Sequence, residues 1–143
     1  MFLPQLSVFM ENTPGALQQA IDIMASEKIN IRAVTLADTK DFGILRLIVD
    51  QPDKAHDILK SHQFATVVNE VMAVEIPDRP GGLAGLINTL SADGINIEYM
   101  YGFLEKNSDN AIIVIRVENL QNAVNILLKN QYRILTKENL STI

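Results

Sequence analysis

Displacing the sequence by 66 residues lays Pro14, Gly15, Leu17, Ile21, Ile29, Asn30 and Ile31 on Pro80, Gly81, Leu83, Ile87, Ile95, Asn96 and Ile97. Once two extra residues are admitted around 106–110, the match continues, and Ala55, Ile58, Leu59, Gln63 and Phe64 fall on Ala123, Ile126, Leu127, Gln131 and Tyr132. A tandem repeat of roughly 70 residues is the strongest constraint on the fold, because whatever the first half builds the second must build again. The expected domains are 1–69 and 70–143, with Asn69 and Glu70 as the only linker. A join that short leaves the copies little freedom.

Each copy has the same order of patterns. In the first, 5–10 reads as a strand, and Leu17, Ala20, Ile21 and Met24 recur at helical spacing up to about Lys28. Runs 31–36 and 44–49 flank turn chemistry at 38–43 and predict a hairpin. Pro52 opens a second helix with Ala55, Ile58 and Leu59 inward, and 65–68 returns as a strand. The second copy gives strand 71–76, helix 80–92, strand 97–103, loop 105–110, strand 111–117, helix 120–129 and a short strand near 134–135. The tail 136–143 is loosely specified. The fold class is α+β: two βαββαβ units, each a ferredoxin-like plait of four antiparallel strands under two helices. Pairing of the two second strands edge to edge would make one eight-stranded antiparallel sheet with helices on one face. It would also hide exposed edges and bring Asn30 to the 78–82 turn and Asn96 to the 12–15 turn.

The chemistry concentrates at the strand-helix turn. Proline has a φ near the helical value and no N–H, so Pro14 reads as the first helical residue with Thr13 as its N-cap. Gly15 leaves the main-chain amides of that turn accessible, and the helix dipole favours an anion there. The plain alternative is that Pro14 and Gly15 merely start a helix. A core-packing constraint explains the recurring aliphatics, but it does not explain an asparagine recurring at Asn30 and Asn96, where a helix hands over to a strand.

Composition narrows the rest. A net charge of -5 counts against a nucleic-acid backbone or an anionic membrane as partner. With no cysteine there is no disulfide, thiolate metal site or cysteine nucleophile. No run approaches the roughly 18 apolar residues of a membrane span, and a cytoplasmic location is expected. His56 and His62 do not share a helix face and read as surface residues, so no metal site is expected. Ser7, Ser26, Ser61 and Ser91 lack a nucleophile-elbow context. Gly81-Gly82-Leu83-Ala84-Gly85 reads better as close helix-sheet packing than as a dinucleotide loop. Tyr99, Tyr101 and Phe103 alternate along one strand and suit a pocket wall or interface better than an RNA platform.

Glu11-Asn12-Thr13-Pro14-Gly15-Ala16-Leu17 with Ile29-Asn30-Ile31, and Pro77-Asp78-Arg79-Pro80-Gly81-Gly82-Leu83 with Ile95-Asn96-Ile97, resemble the two signature segments of the ACT domain. ACT domains are amino-acid-sensing regulatory modules, and the resemblance covers nearly the whole chain as two tandem copies. The first copy is also similar to the regulatory subunit of acetolactate synthase and to the serine-sensing domain of phosphoglycerate dehydrogenase. By this resemblance, Asn12, Asn30 and Asn96 hold the amino and carboxylate groups of a free amino acid across a domain-domain interface. Asp78 stands where a second turn asparagine would be. The implied ligand-binding set is Asn12, Thr13, Pro14, Gly15, Ala16, Asn30, Asp78, Gly81, Gly82, Leu83 and Asn96, with no catalytic residue, cofactor or metal. An ionised aspartate only accepts, so Asp78 either favours the ammonium group or satisfies its own helix's first turn. Arg79 reads as a solvated turn residue. Walls over Leu36, Met100 and Tyr101 would set specificity. The expected protein is a non-enzymatic homodimer that binds an amino acid and signals to an amino-acid biosynthetic enzyme. The alternative is an interaction subunit of such an enzyme with no ligand sensing of its own.

Overall fold

The computed structural model describes residues 1–103 and 109–141. The chain divides into two compact units, Pro4–Asn69, and Met1–Leu3 with Glu70–Ile143. In the first unit, β1 (Leu3–Glu11), α1 (Ala16–Ser26), β2 (Ile31–Asp38), β3 (Phe42–Val49) and α2 (Pro52–Ser61) lead into β4 (Ala65–Pro77). The strand order is β2-β3-β1-β4. Antiparallel ladders run from Leu6↔Leu47 to Glu11↔Phe42 and from Ile31↔Val49 to Asp38↔Gly43. Successive strand residues point to opposite faces, so Leu6, Val8 and Met10 meet Leu45, Leu47 and Val49 on one side. Ala20 and Met24 of α1 and Ala55 and Leu59 of α2 close that core at helical spacing.

The second unit repeats the plan with α3 (Gly82–Ala92), β5 (Ile97–Gly102), β6 (Asn110–Val117), α4 (Leu120–Lys129) and β7 (Arg133–Ile134). β6 pairs with β4 and β5, and β7 pairs with β4. Met72, Val74, Ile76, Ile115 and Val117 face Leu86 and Leu90 of α3 and Ala123 and Leu127 of α4. Phe2 packs against this second core.

Three expectations need correction. Asn69 and Glu70 are not a linker: they lie inside β4, a 13-residue strand that merges the two short strands expected there. Hence the described residues form seven strands rather than eight. The second strands do not pair with each other; β2 pairs with β3 and β5 with β6, and among the described residues each keeps one edge without a ladder partner. The tail holds a short helix, α5 (Lys137–Ser141). Thr136 starts it, donating its N–H to Asn139 Oδ1 (2.9 Å) while its Oγ1 accepts from Asn139 N–H (3.3 Å), a reciprocal cap. Most of the expected 105–110 loop lies outside the described residues. Among them, no helix is long and apolar enough to cross a membrane.

The repeat extends to helix ends. Ile29, Phe64, Ile95 and Tyr132 each donate to the carbonyl five residues back, and the residue before each donates three back. This Schellman arrangement puts the residue past the cap in the left-handed region. Lys28 (φ 58), Gln63 (φ 67), Gly94 (φ 72) and Gln131 (φ 66) occupy those four places.

Candidate functional site

The two turns share one backbone design. Asn12 N–H donates to Asp41 O (3.0 Å) and Asp78 N–H to Asp109 O (3.2 Å), anchoring each turn to the strand beside it. Thr13 N–H then reaches Glu11 O (2.9 Å) and Arg79 N–H reaches Pro77 O (3.0 Å). Ala16 N–H to Thr13 O (3.4 Å) and Gly82 N–H to Arg79 O (3.0 Å) close four-residue turns around Pro14-Gly15 and Pro80-Gly81. With Gly15 at φ 92 and Gly81 at φ 88, these have the proline-glycine signature of a type II turn.

The expected helix start is therefore corrected. Pro14 is the first corner of a turn and not the first helical residue, Thr13 is not the N-cap, and α1 begins at Ala16 with Gly15 as cap. A left-handed corner must precede the helix for β1 to reverse into α1, and glycine adopts it without strain. Among the described residues, the amides of Leu17 and Gln18, and of Leu83 and Ala84, meet no main-chain acceptor. The two turns differ at one point. A Cβ on Gly82 would lie 2.1 Å from Pro77 O, whereas the equivalent Ala16 carries one, so α3 starts closer to its strand.

The other site residues divide into two groups. Asn12, Thr13, Pro14, Gly15 and Ala16 are contiguous, and Asp78, Gly81, Gly82 and Leu83 lie within the second turn and the start of its helix. Asn30 lies at the far end of α1, roughly 16 Å from the turn for an 11-residue helix, so one copy does not bring the two together. Asn12 Nδ2 donates to Thr39 O (3.4 Å), bracing its own hairpin. Asn30 N–H donates to Asp50 Oδ1 (2.9 Å) and its carbonyl accepts from Asp50 N–H (3.1 Å), which leaves its side-chain amide exposed. Asn96 is exposed as well. Asp78 makes no hydrogen bond through its carboxylate among the described residues, so it does not cap α3. Met100 and Tyr101 do not share a wall. Met100 pairs with Ile115 and Leu36 with Leu45, both core residues on the helix-covered face, and Tyr101 points the other way to stack on Tyr99 (centroids 6.5 Å apart).

The structure adds a feature that sequence reading missed. A groove of about 660 Å³ borders the first turn, lined by Phe9, Glu11, Pro14, Gly15, Phe42 and Phe64 among others. The second copy has a smaller groove at the same place, about 380 Å³, lined by Glu75, Pro77, Asn110, Tyr132 and Arg133 among others. There Glu75 accepts from Asn110 (2.7 Å) and Arg133 (3.0 Å). The signal was available in the exposed spacing of Phe9 and Phe42, whose strand positions pair diagonally across β1 and β3. His62 hydrogen-bonds Ile58 O at the end of α2, and no cluster able to hold a metal occurs among the described residues.

Comparison with solved structures finds the protein BT0572 of Bacteroides thetaiotaomicron at 39% identity and a TM-score of 0.91, over 100% of this chain and 98% of that one. The ligand-free regulatory subunit of aspartate kinase from Thermus thermophilus superposes with a TM-score of 0.63 at 14% identity, over 88% of this chain and 91% of that one. Its counterpart from Thermus flavus gives 0.61 at 14% identity, over 88% and 90%. These two share the fold. No curated protein matches the chain. The family described as an ACT domain pair matches residues 1–143. Two βαββαβ units with duplicated turns, and that match over the full length, place the chain in the ACT domain family as a domain pair.

Proposed function

We propose that this protein is a non-catalytic cytoplasmic regulator that binds a free amino acid where two ACT domains from different copies of the chain meet, and transmits occupancy to an amino-acid biosynthetic enzyme. The observation that carries the reading is a corner left open in both copies. Leu17 beside the first turn and Val34 on β2 stay 38% and 40% exposed, and their repeat equivalents Leu83 and Met100 stay 36% and 38% exposed. Solvent-exposed apolar side chains at repeat-equivalent positions, next to a strand whose outer edge has no ladder partner among the described residues, suit an association surface. In a homodimer paired along such an edge, the asparagine opening the edge strand, Asn30 or Asn96, lies against the partner's turn. Asn12 Oδ1, Asp78 and the amides after Gly15 and Gly81 then have complementary groups for a zwitterion.

Regulation follows from linkage. A ligand held by two domains favours the arrangement that aligns them, by its differential affinity for that arrangement, and the affinity for a partner shifts in step. The Thermus proteins that share this fold are named as regulatory subunits of aspartate kinase, which supports a biosynthetic enzyme as the partner class. A thermal-shift screen with the twenty amino acids tests the reading. At a ligand concentration of about 100 Kd, mass action adds about 2.7 kcal/mol, or about 5–10 °C in Tm for a chain of this size. If no amino acid shifts Tm, the remaining reading is an interaction subunit without sensing.

A further inference from the structure

The two copies carry different chemistry at one equivalent place. In the repeat register, Phe9, Phe42 and Ala65 of the first copy correspond to Glu75, Asn110 and Arg133 of the second. In the second copy these three side chains bind one another, Glu75 accepting from both neighbours. In the first copy the same positions face an open groove, with Phe9 41% and Phe42 58% exposed. We propose that this first-copy groove is the side-chain subsite for the bound amino acid, that it selects an apolar and preferably aromatic side chain, and that the chain binds one such molecule. This rests on the amino-acid reading above and names the ligand class.

The groove's lining complements such a side chain. Pro14 and Phe64 extend the apolar surface of Phe9 and Phe42, so a flat ring gains contact that water does not provide. Glu11 is the only charged residue lining the groove among the described residues. It attracts an α-ammonium group, and there is no cation to receive an acidic side chain. The groove's volume falls within the range typical of small-ligand sites. The second groove is smaller and polar, since Glu75, Asn110 and Arg133 stand where the first has Phe9, Phe42 and Ala65 and bind one another across it.

Calorimetric titration of the full chain with phenylalanine, leucine, lysine, threonine and aspartate tests the proposal. Phenylalanine and leucine should bind at one per chain. Phe42→Asn and Phe9→Glu, each bringing in the second copy's residue at an exposed position, should each weaken binding at least about tenfold. Arg133→Ala should leave affinity unchanged. Unaltered melting of the variants, followed by circular dichroism, keeps loss of fold apart from loss of binding. Preference for lysine, threonine or aspartate, two molecules per chain, or indifference to both phenylalanine substitutions would overturn the subsite while leaving amino-acid sensing in place. A changed association state of the ligand-free variants with unchanged amino-acid affinity would also overturn it, because the groove would then be a protein contact. Binding of no amino acid at all would remove both readings.

Discussion

Replacing Gly82 by alanine tests how closely the second turn is built. The added Cβ would sit 2.1 Å from Pro77 O, whereas a carbon and a carbonyl oxygen settle at about 3.3 Å, so about 1.2 Å must open. Both groups belong to the backbone, and no rotamer relieves the contact. The start of α3 must lift off β4, loosening Leu86 and Leu90, which are fully buried in the second core. Overpacking of this kind costs about 1–3 kcal/mol, occasionally more, and rigid backbone partners put Gly82→Ala at the upper end, about 3 kcal/mol. Gly81→Ala is the comparison: nothing lies within 4 Å of its Cβ, and only φ 88 opposes it, at about 1–2 kcal/mol. Urea unfolding followed by tyrosine emission isolates the effect, because Tyr99, Tyr101 and Tyr132 are the chain's only tyrosines, there is no tryptophan, and all three lie in the second copy. The midpoint should fall with an unchanged slope. A Gly82→Ala variant within about 0.5 kcal/mol of the parent, or less damaged than Gly81→Ala, would refute this account of the turn.

Other substitutions probe the supporting contacts. Lys28→Gly and Gln63→Gly relieve left-handed non-glycine residues and should each raise stability by about 1 kcal/mol, read as a rise of about 2–4 °C in Tm. Ser7 is buried between Gln5 Nε2 (3.4 Å) and Asn69 Oδ1 (3.2 Å), so Ser7→Ala should cost about 1–2 kcal/mol in urea unfolding. Glu75→Ala should cost more than Arg133→Ala, since the Glu75 side chain is 17% exposed and serves two donors, whereas that of Arg133 is 61% exposed and its ion pair is worth at most about 1 kcal/mol. Hydrogen bonds from its own backbone amide and then from Thr136 hold the Glu138 carboxyl below its ordinary range. Its folded-state pKa is depressed, so its contribution is present above the ordinary value and fades as pH falls through the lowered one. The protection factors of the α5 amides, in which the intrinsic pH dependence of exchange is divided out, should fall on acidification, and Glu138→Gln should flatten that fall.

The plan of the fold was legible because the repeat registers and the strand and helix periods agree from β1 to α2 and again from α3 to α4. Where the reading missed, a tertiary constraint competed with a local rule. Pro14 satisfies the rule for a first helical residue, yet reversal from β1 into α1 needs a left-handed corner, and Gly15 provides it only if Pro14 precedes it in a turn. Asn69 and Glu70 look like a linker by polarity, but their main chain lies within strand β4, and Asn69 accepts a hydrogen bond from Ser7. The tail looked unspecified because the pairing of Thr136 with Asn139 uses asparagine where a capping box usually has glutamate. The two strand-helix turns were identifiable from their repeated proline-glycine pairs. The groove beside them was not, because Phe9, Phe42 and Phe64 come from three separate segments and only the fold assembles them.

The most direct test of the proposed function is calorimetric titration of the amino acid that gives the largest thermal shift into the parent chain and into Asn12→Ala, Asn30→Ala and Asn96→Ala. The account predicts saturable binding to the parent and an affinity at least about tenfold lower when Asn12 or Asn96 is truncated, the cost of losing one hydrogen bond to a charged group. Unchanged affinity in either the Asn12 or the Asn96 variant would contradict it.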